Sequence, residues 1–97
     1  MNLSRQSLAS YDEVKRSLAA REAEVLDVLH EAPLGLTGFE IAQSLNRHPY
    51  TVRPRLTGLK DHRLIIDTGQ VRRNPHGKNE TVWRYWPHDP HQAVFAF

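Results

Sequence analysis

The apolar residues of this 97-residue chain change their spacing once, and that change settles which elements it can build. As far as residue 59 they recur near helical period. Val14, Leu18, Val25, Leu26 and Leu29 form one set, Phe39, Ile41, Ala42 and Leu45 a second, and Val52, Leu56 and Leu59 a third. Residues three, four and seven apart share one helix face, so each set can line a buried stripe. After residue 63 come Leu64-Ile65-Ile66 and Thr81-Val82-Trp83-Arg84-Tyr85-Trp86, short runs rich in β-branched and aromatic side chains that read as strands. The length suits one small α+β domain over residues 1–97, with residues 1–9 expected to fray and 87–97 forming a tail.

Local chemistry sets the expected boundaries. Ser10-Tyr11-Asp12-Glu13 fits a capping box, in which the serine accepts an amide three residues on and the glutamate reaches back. Ser17 offers a second start, which would leave residues 10–16 as a separate turn, and both starts stay open. This helix stops before Pro33, because a residue preceding proline avoids the α region. Leu34-Gly35-Leu36 reads as one small strand. Thr37-Gly38-Phe39-Glu40 is a second capping box opening a short helix, and Asn46-Arg47-His48-Pro49 is a turn. Pro54 places the start of the third helix between Tyr50 and Pro54, with Thr51 as its cap, because a proline nitrogen is tolerated only where no helical donor is needed. The helix then runs to Arg63. Asp67-Thr68-Gly69 kinks the first strand, Gln70-Val71-Arg72 continues it, and Asn74 to Asn79 has the chemistry of a loop. The strands pair as a hairpin with a long basic tip. Trp83 and Tyr85 share one face of the last strand, and Trp83 is expected in the core.

Composition removes several classes of function. With no cysteine, disulfides, thiolate metal sites and a cysteine nucleophile are excluded. No apolar run approaches the roughly 18 residues of a membrane span, and Met1 to Gln6 lacks the apolar stretch of a signal peptide, so a cytoplasmic protein with no membrane partner is expected. No nucleophile–base grouping, glycine-rich phosphate loop or carboxylate pair stands out, which argues against an enzyme and against a cofactor. His88-Asp89-Pro90-His91 is the local histidine cluster, but it lies in a proline-broken tail, and no metal site is expected there.

Charge points instead to a partner. Residues 1–46 hold four basic and seven acidic side chains, a net of −3, whereas residues 47–84 hold nine basic against three acidic, a net of +6. A strongly positive half is the footprint expected for a polyanion. On the third helix, with Val52, Leu56 and Leu59 inward, geometry turns Tyr50, Thr51, Pro54, Thr57 and Gly58 outward, with Arg53 and Lys60 on one shoulder and Arg55 on the other. In the hairpin, Arg72, Arg73, His76 and Lys78 surround the tip, with no acid from Val71 to Asn79.

The order helix, short strand, helix, tight turn, helix, hairpin resembles the winged helix-turn-helix domain, broadly its MarR-type and phage or plasmid regulator versions. Leu36-Thr37-Gly38-Phe39-Glu40-Ile41-Ala42, Thr51-Val52-Arg53-Pro54-Arg55-Leu56, Leu59-Lys60-Asp61-His62-Arg63-Leu64-Ile65 and the strand return from Gly77 to Tyr85 carry it, over about residues 17–86. One departure is Arg63, where the usual glycine before the strand is missing and the helix end would lose its preferred left-handed residue. The resemblance implies a sequence-specific double-stranded DNA-binding regulator, with the third helix in the major groove and the basic wing on the backbone or in the minor groove. Arg53 is then the first candidate for a guanine contact. Tyr50, Thr51 and Thr57 would meet a base or a phosphate, and Arg55 and Lys60 phosphates. Arg72, Arg73, His76 and Lys78 would serve the wing, and Thr37 would offer the amides of its helix end to a phosphate. The apolar end Gln92-Ala93-Val94-Phe95-Ala96-Phe97 would dock on the first helix or on a second subunit. Because domains of this type often dimerise through their termini, the resemblance implies a homodimer for the second case. The competing reading is a winged-helix interaction module that binds a protein partner instead of DNA.

Overall fold

The computed structural model describes residues 11–86. Its elements are α1 (Tyr11–Arg16), α2 (Ala20–His30), α3 (Gly38–Leu45), α4 (Pro49–Asp61), β1 (Ile65–Arg73) and β2 (Asn79–Tyr85). The first helical stretch is divided, as the second of the two starts implied, although α2 begins at Ala20 and not at Ser17. The Ser17 hydroxyl donates to the Val14 carbonyl at 2.6 Å, and the amides of Ser17 and Leu18 bond back three residues, which closes α1. Ser10 and its capping box lie outside the described residues. α1 is fastened to α2 by the Tyr11 hydroxyl, which donates to Asp27, by Lys15 at 2.9 Å from the same carboxylate, and by the Tyr11 ring stacked on His30 at 3.8 Å.

α3 opens on the expected capping box. Thr37 Oγ1 accepts the Glu40 amide at 3.2 Å, and Glu40 Oε1 accepts the Thr37 amide at 2.9 Å. It ends at Asn46 (φ 55°), a left-handed residue that asparagine tolerates.

α4, the third expected helix, starts earlier than the sequence suggested. Pro49 opens it and His48 caps it, Nδ1 accepting the Tyr50 amide at 3.2 Å. Thr51 is therefore inside the first turn, where its hydroxyl donates to the His48 carbonyl at 2.7 Å, and is not the cap. Pro49 takes the place that suits proline, and Pro54 falls in the helix interior, where it has no N–H for the Tyr50 carbonyl one turn back. Both residues are exposed, so water can reach that carbonyl.

The helix end at Arg63 is left-handed after all. Arg63 has φ 61°, the Leu64 amide bonds to the Leu59 carbonyl at 3.0 Å, and the Arg63 amide to the Lys60 carbonyl at 2.9 Å. This paired arrangement satisfies the last carbonyls, and the arginine adopts a conformation that glycine takes without strain. Arg63→Gly is expected to raise stability by about 0.5–1 kcal/mol, read as a higher urea midpoint with an unchanged slope. A lower midpoint would contradict it.

The core is built from Val25, Leu26 and Leu29 of α2, Ile41 and Ala42 of α3, Val52, Leu56 and Leu59 of α4, and Ile65 of β1. Trp83 and Tyr85 pack against it, so Trp83 sits where the sequence placed it. Val82, on the opposite face of β2, is buried as well, because the turn at Gly35 closes over it. β1 and β2 are antiparallel, with Ile65 opposite Tyr85 and Arg72 opposite Glu80. A bulge between Asp67 and Val71 carries the expected kink. There Gly69 has φ 81°, and its amide donates to Asp67 at 2.8 Å. The small strand at Leu34-Gly35-Leu36 is one bridge, Leu36 exchanging two hydrogen bonds of 2.9 and 2.8 Å with Trp83. Beyond the bulge the side chains of β1 are exposed, while Arg72 and Glu80 still reach across to α3.

Candidate nucleic-acid interface

Burial of Val52, Leu56 and Leu59 leaves Tyr50, Thr51, Arg53, Pro54, Thr57 and Lys60 exposed on α4. Tyr50 is 73% exposed, its ring stacked on His48 at 4.8 Å, with the Arg53 guanidinium 5.9 Å from its centroid. The Thr57 hydroxyl turns back to the Arg53 carbonyl at 3.4 Å. Gly58 departs from the sequence reading. The Glu22 carboxylate of α2 lies 2.6 Å from where a β-carbon would stand, so this glycine faces α2 and not the outside. Arg55 is half-buried on α4, and its Nε has no acceptor. Arg53 and Thr57 lie on the other flank, where they share an open cleft with Gly38, Glu80 and Trp83 at the root of the hairpin.

Two carboxylates set the hairpin against α3. Arg72 is not free, because it bonds Glu40 at 2.5 Å. Its cross-strand partner Glu80 accepts the Phe39 amide at 3.0 Å and the Asn74 side-chain amide at 2.6 Å. The positive end of α3, which Thr37 was expected to offer to a phosphate, is therefore occupied from within. Thr37 is 2% exposed, and the amides of Thr37, Phe39 and Glu40 are held by Glu40, Glu80 and Thr37 in turn. Sequence reasoning missed Glu80, since its partner amide is 41 residues away and no local pattern marks the contact. At the tip, Asn74 Oδ1 accepts the amides of His76 and Lys78, and the His76 ring stands edge-on to Phe39 at 5.8 Å. Arg73 lines a recess with Phe39, Gln43 and Pro75, and Lys78 is exposed.

The basic residues divide by pairing. In the acidic half, Lys15 and Arg21 meet Asp27 and Glu24. Arg47 also belongs to that set, clamping Glu24 through Nε and Nη2 at 2.9 Å each and so tying the α3–α4 turn to α2. Among the described residues, Arg53, Arg55, Lys60, Arg73 and Lys78 have no carboxylate within ion-pair distance. Their positive charge is uncompensated at the surface. Arg84 lies over the Gly35 turn, away from the α4–hairpin cleft.

These ion pairs make stability depend on acid. The Arg47 guanidinium holds Glu24 below the ordinary glutamate value. Burial pushes Asp27 and Glu40 up, but the Tyr11 hydroxyl and Lys15 outweigh it at Asp27, and Arg72 and the Thr37 amide at Glu40, so both end lower. Burial and Asp27 push the Tyr11 hydroxyl up. A carboxylate lowered on folding stabilises the domain above its unfolded value, and that contribution disappears as pH falls through the folded value. The melting temperature is expected to decline below about pH 4.5, more gently in Glu40→Gln, which has one such group fewer. A melting temperature that rises on acidification would contradict this.

Among the described residues, no helix is long and apolar enough to cross a membrane, and no three His, Asp or Glu side chains are grouped to hold a metal ion. His88 and His91 lie outside those residues.

A core of α2, α3 and α4, with a tight turn between the last two and a β-hairpin following α4, defines a winged helix-turn-helix domain. Solved structures share the architecture. The chain is similar to a possible transcriptional regulator from Methanosarcina mazei Go1, with 12% identity, a TM-score of 0.61, and 87% of this chain covering 68% of that one. It is also similar to a mutant of Lactococcus lactis ZitR, with 21% identity, a TM-score of 0.56, and 92% of this chain covering 57% of that one. The chain thus spans little more than half the length of ZitR. No protein-family model and no curated protein matches the sequence.

Proposed function

We propose that this protein is a sequence-specific double-stranded DNA-binding regulator of transcription, of the MarR-like or phage and plasmid type, acting without catalysis in the cytoplasm. The observation that carries the reading is the set of unpaired cations on α4 and the hairpin, with Arg53 beside the cleft between the two elements. In this reading α4 enters the major groove, where Arg53 contacts a guanine, Tyr50 and Thr57 meet base edges, and Lys60 and Thr51 approach phosphates. Arg73, His76 and Lys78 follow the backbone, and Arg55 supplies a further phosphate contact. Thr37 drops out as a phosphate ligand because its helix end is filled. Arg72 serves chiefly to hold the wing. A homodimer on two half-sites about one helical turn apart fits the same scheme.

Fluorescence anisotropy with mixed duplex DNA tests it. Absence of binding below about 10 μM at low salt, where even non-specific association should register, would end the DNA reading. Capture of a stoichiometric protein partner with no DNA retained would favour the interaction module instead. Selection from a random duplex pool then supplies a site. On that site, Arg53→Ala is expected to cost about 1–3 kcal/mol and relax base preference, whereas Lys78→Ala weakens all sequences alike. A loss for Arg53→Ala that is equal across sequences would refute its assignment to a base.

A further inference from the structure

Apart from Arg53, Lys60 and the Tyr50 hydroxyl, the outward surface of α4 offers few free hydrogen-bond donors. Tyr50, Pro54 and Thr57 follow one another along its exposed side, at spacings of four and three residues. Pro54 has no donor in either side chain or backbone. Thr51 and Thr57 already give their hydroxyl protons to the His48 and Arg53 carbonyls, so Thr57 offers a methyl and an oxygen that can only accept. The Tyr50 ring stacks on His48 and has the Arg53 guanidinium 5.9 Å from its centroid, yet remains well exposed, so apolar ring surface stays open beside its hydroxyl.

Base edges in the major groove consist of donors and acceptors, with one apolar group among them, the C5-methyl of thymine. Set against a donor or acceptor, a ring, a pyrrolidine and a methyl leave the base group unpaired and dehydrated. Set against a methyl, they bury apolar area. We propose that α4 selects thymine through contacts of Tyr50, Pro54 and Thr57 with C5-methyl groups, next to the base met by Arg53. The inference rests on the reading of α4 as the DNA-facing helix, and adds the chemistry by which most of its exposed side discriminates.

The test replaces each thymine of the selected duplex by deoxyuridine, one position at a time. Only the methyl is lost, while pairing and phosphates are unchanged. At one or two positions binding is expected to weaken about fourfold, the equivalent of one buried methyl. Thr57→Ser keeps the hydroxyl and removes the γ-methyl, so at one of these positions thymine and uracil duplexes should bind this variant alike. Tyr50→Ser should erase the difference at another position. A fully uracil-substituted duplex bound within twofold of the parent, with selectivity over scrambled DNA retained, overturns methyl readout and leaves the regulator reading standing. If no duplex is preferred over scrambled DNA, both fall.

Discussion

Gly35→Ala is expected to destabilise the domain by about 2–5 kcal/mol, the sum of a forbidden backbone conformation and a contact that cannot relax. Gly35 has φ 92°, where L side chains are strained. A β-carbon there would stand 2.7 Å from the Trp83 carbonyl oxygen and 2.8 Å from Val82 Cγ1. The first is backbone, and the second belongs to a side chain 1% exposed. Neither can yield without opening the Leu36–Trp83 bridge that ties the α2–α3 connection to the hairpin. A small domain holds about 5–15 kcal/mol in total, so the loss is large. Urea denaturation measures it, and a change below about 0.5 kcal/mol would show that the turn is not packed as described.

Glu80→Ala should cost about 2 kcal/mol and loosen the hairpin from α3, leaving Arg72 on Glu40 as the remaining ionic tie. The carboxylate accepts a backbone amide at a helix start and a side-chain amide at the wing tip, and it complements the positive end of α3. Removing it leaves the Phe39 amide without its acceptor and Asn74 without its anchor. Charge alone predicts tighter DNA binding, because the variant gains a net positive charge. If the hairpin lies on DNA as proposed, loss of the anchor predicts weaker binding, because the wing must then be ordered on the duplex. Geometry should prevail, since one added charge is screened over about 8 Å at physiological salt, while the loosened hairpin carries Arg73, His76 and Lys78 together. Glu80→Gln keeps an oxygen for the Phe39 amide and should recover part of the stability. Unchanged stability in Glu80→Ala would overturn the anchoring role.

Much of this architecture was legible beforehand because it depends on neighbours in the chain. Thr37 and Glu40 form their capping box, the stripes at Val52, Leu56 and Leu59 point inward, and Gly69 bends β1 where Asp67-Thr68-Gly69 foretold. Failures came where two local signals competed. The placing of Pro54 points to Thr51 as the cap of α4, but Pro49 takes the first helical position, which makes His48 the cap and leaves Pro54 in the interior. At Arg63 the missing glycine altered only the residue, because the turn into β1 imposes its own backbone geometry. The basic residues misled for a different reason. Formal charge counts Arg47, Arg72 and Lys78 alike, although two of them are neutralised by carboxylates distant in sequence.

Order, spacing and composition by themselves determined three amphipathic helices, a hairpin and a positive second half, because periodicity and capping act over a few residues. Only the tertiary structure decided which positive groups stay unpaired, that Glu80 fills the end of α3, and that Gly58 faces Glu22. Those outcomes depend on distances between segments 23 to 41 residues apart, and a carboxylate becomes a partner only once packing brings it within hydrogen-bond reach.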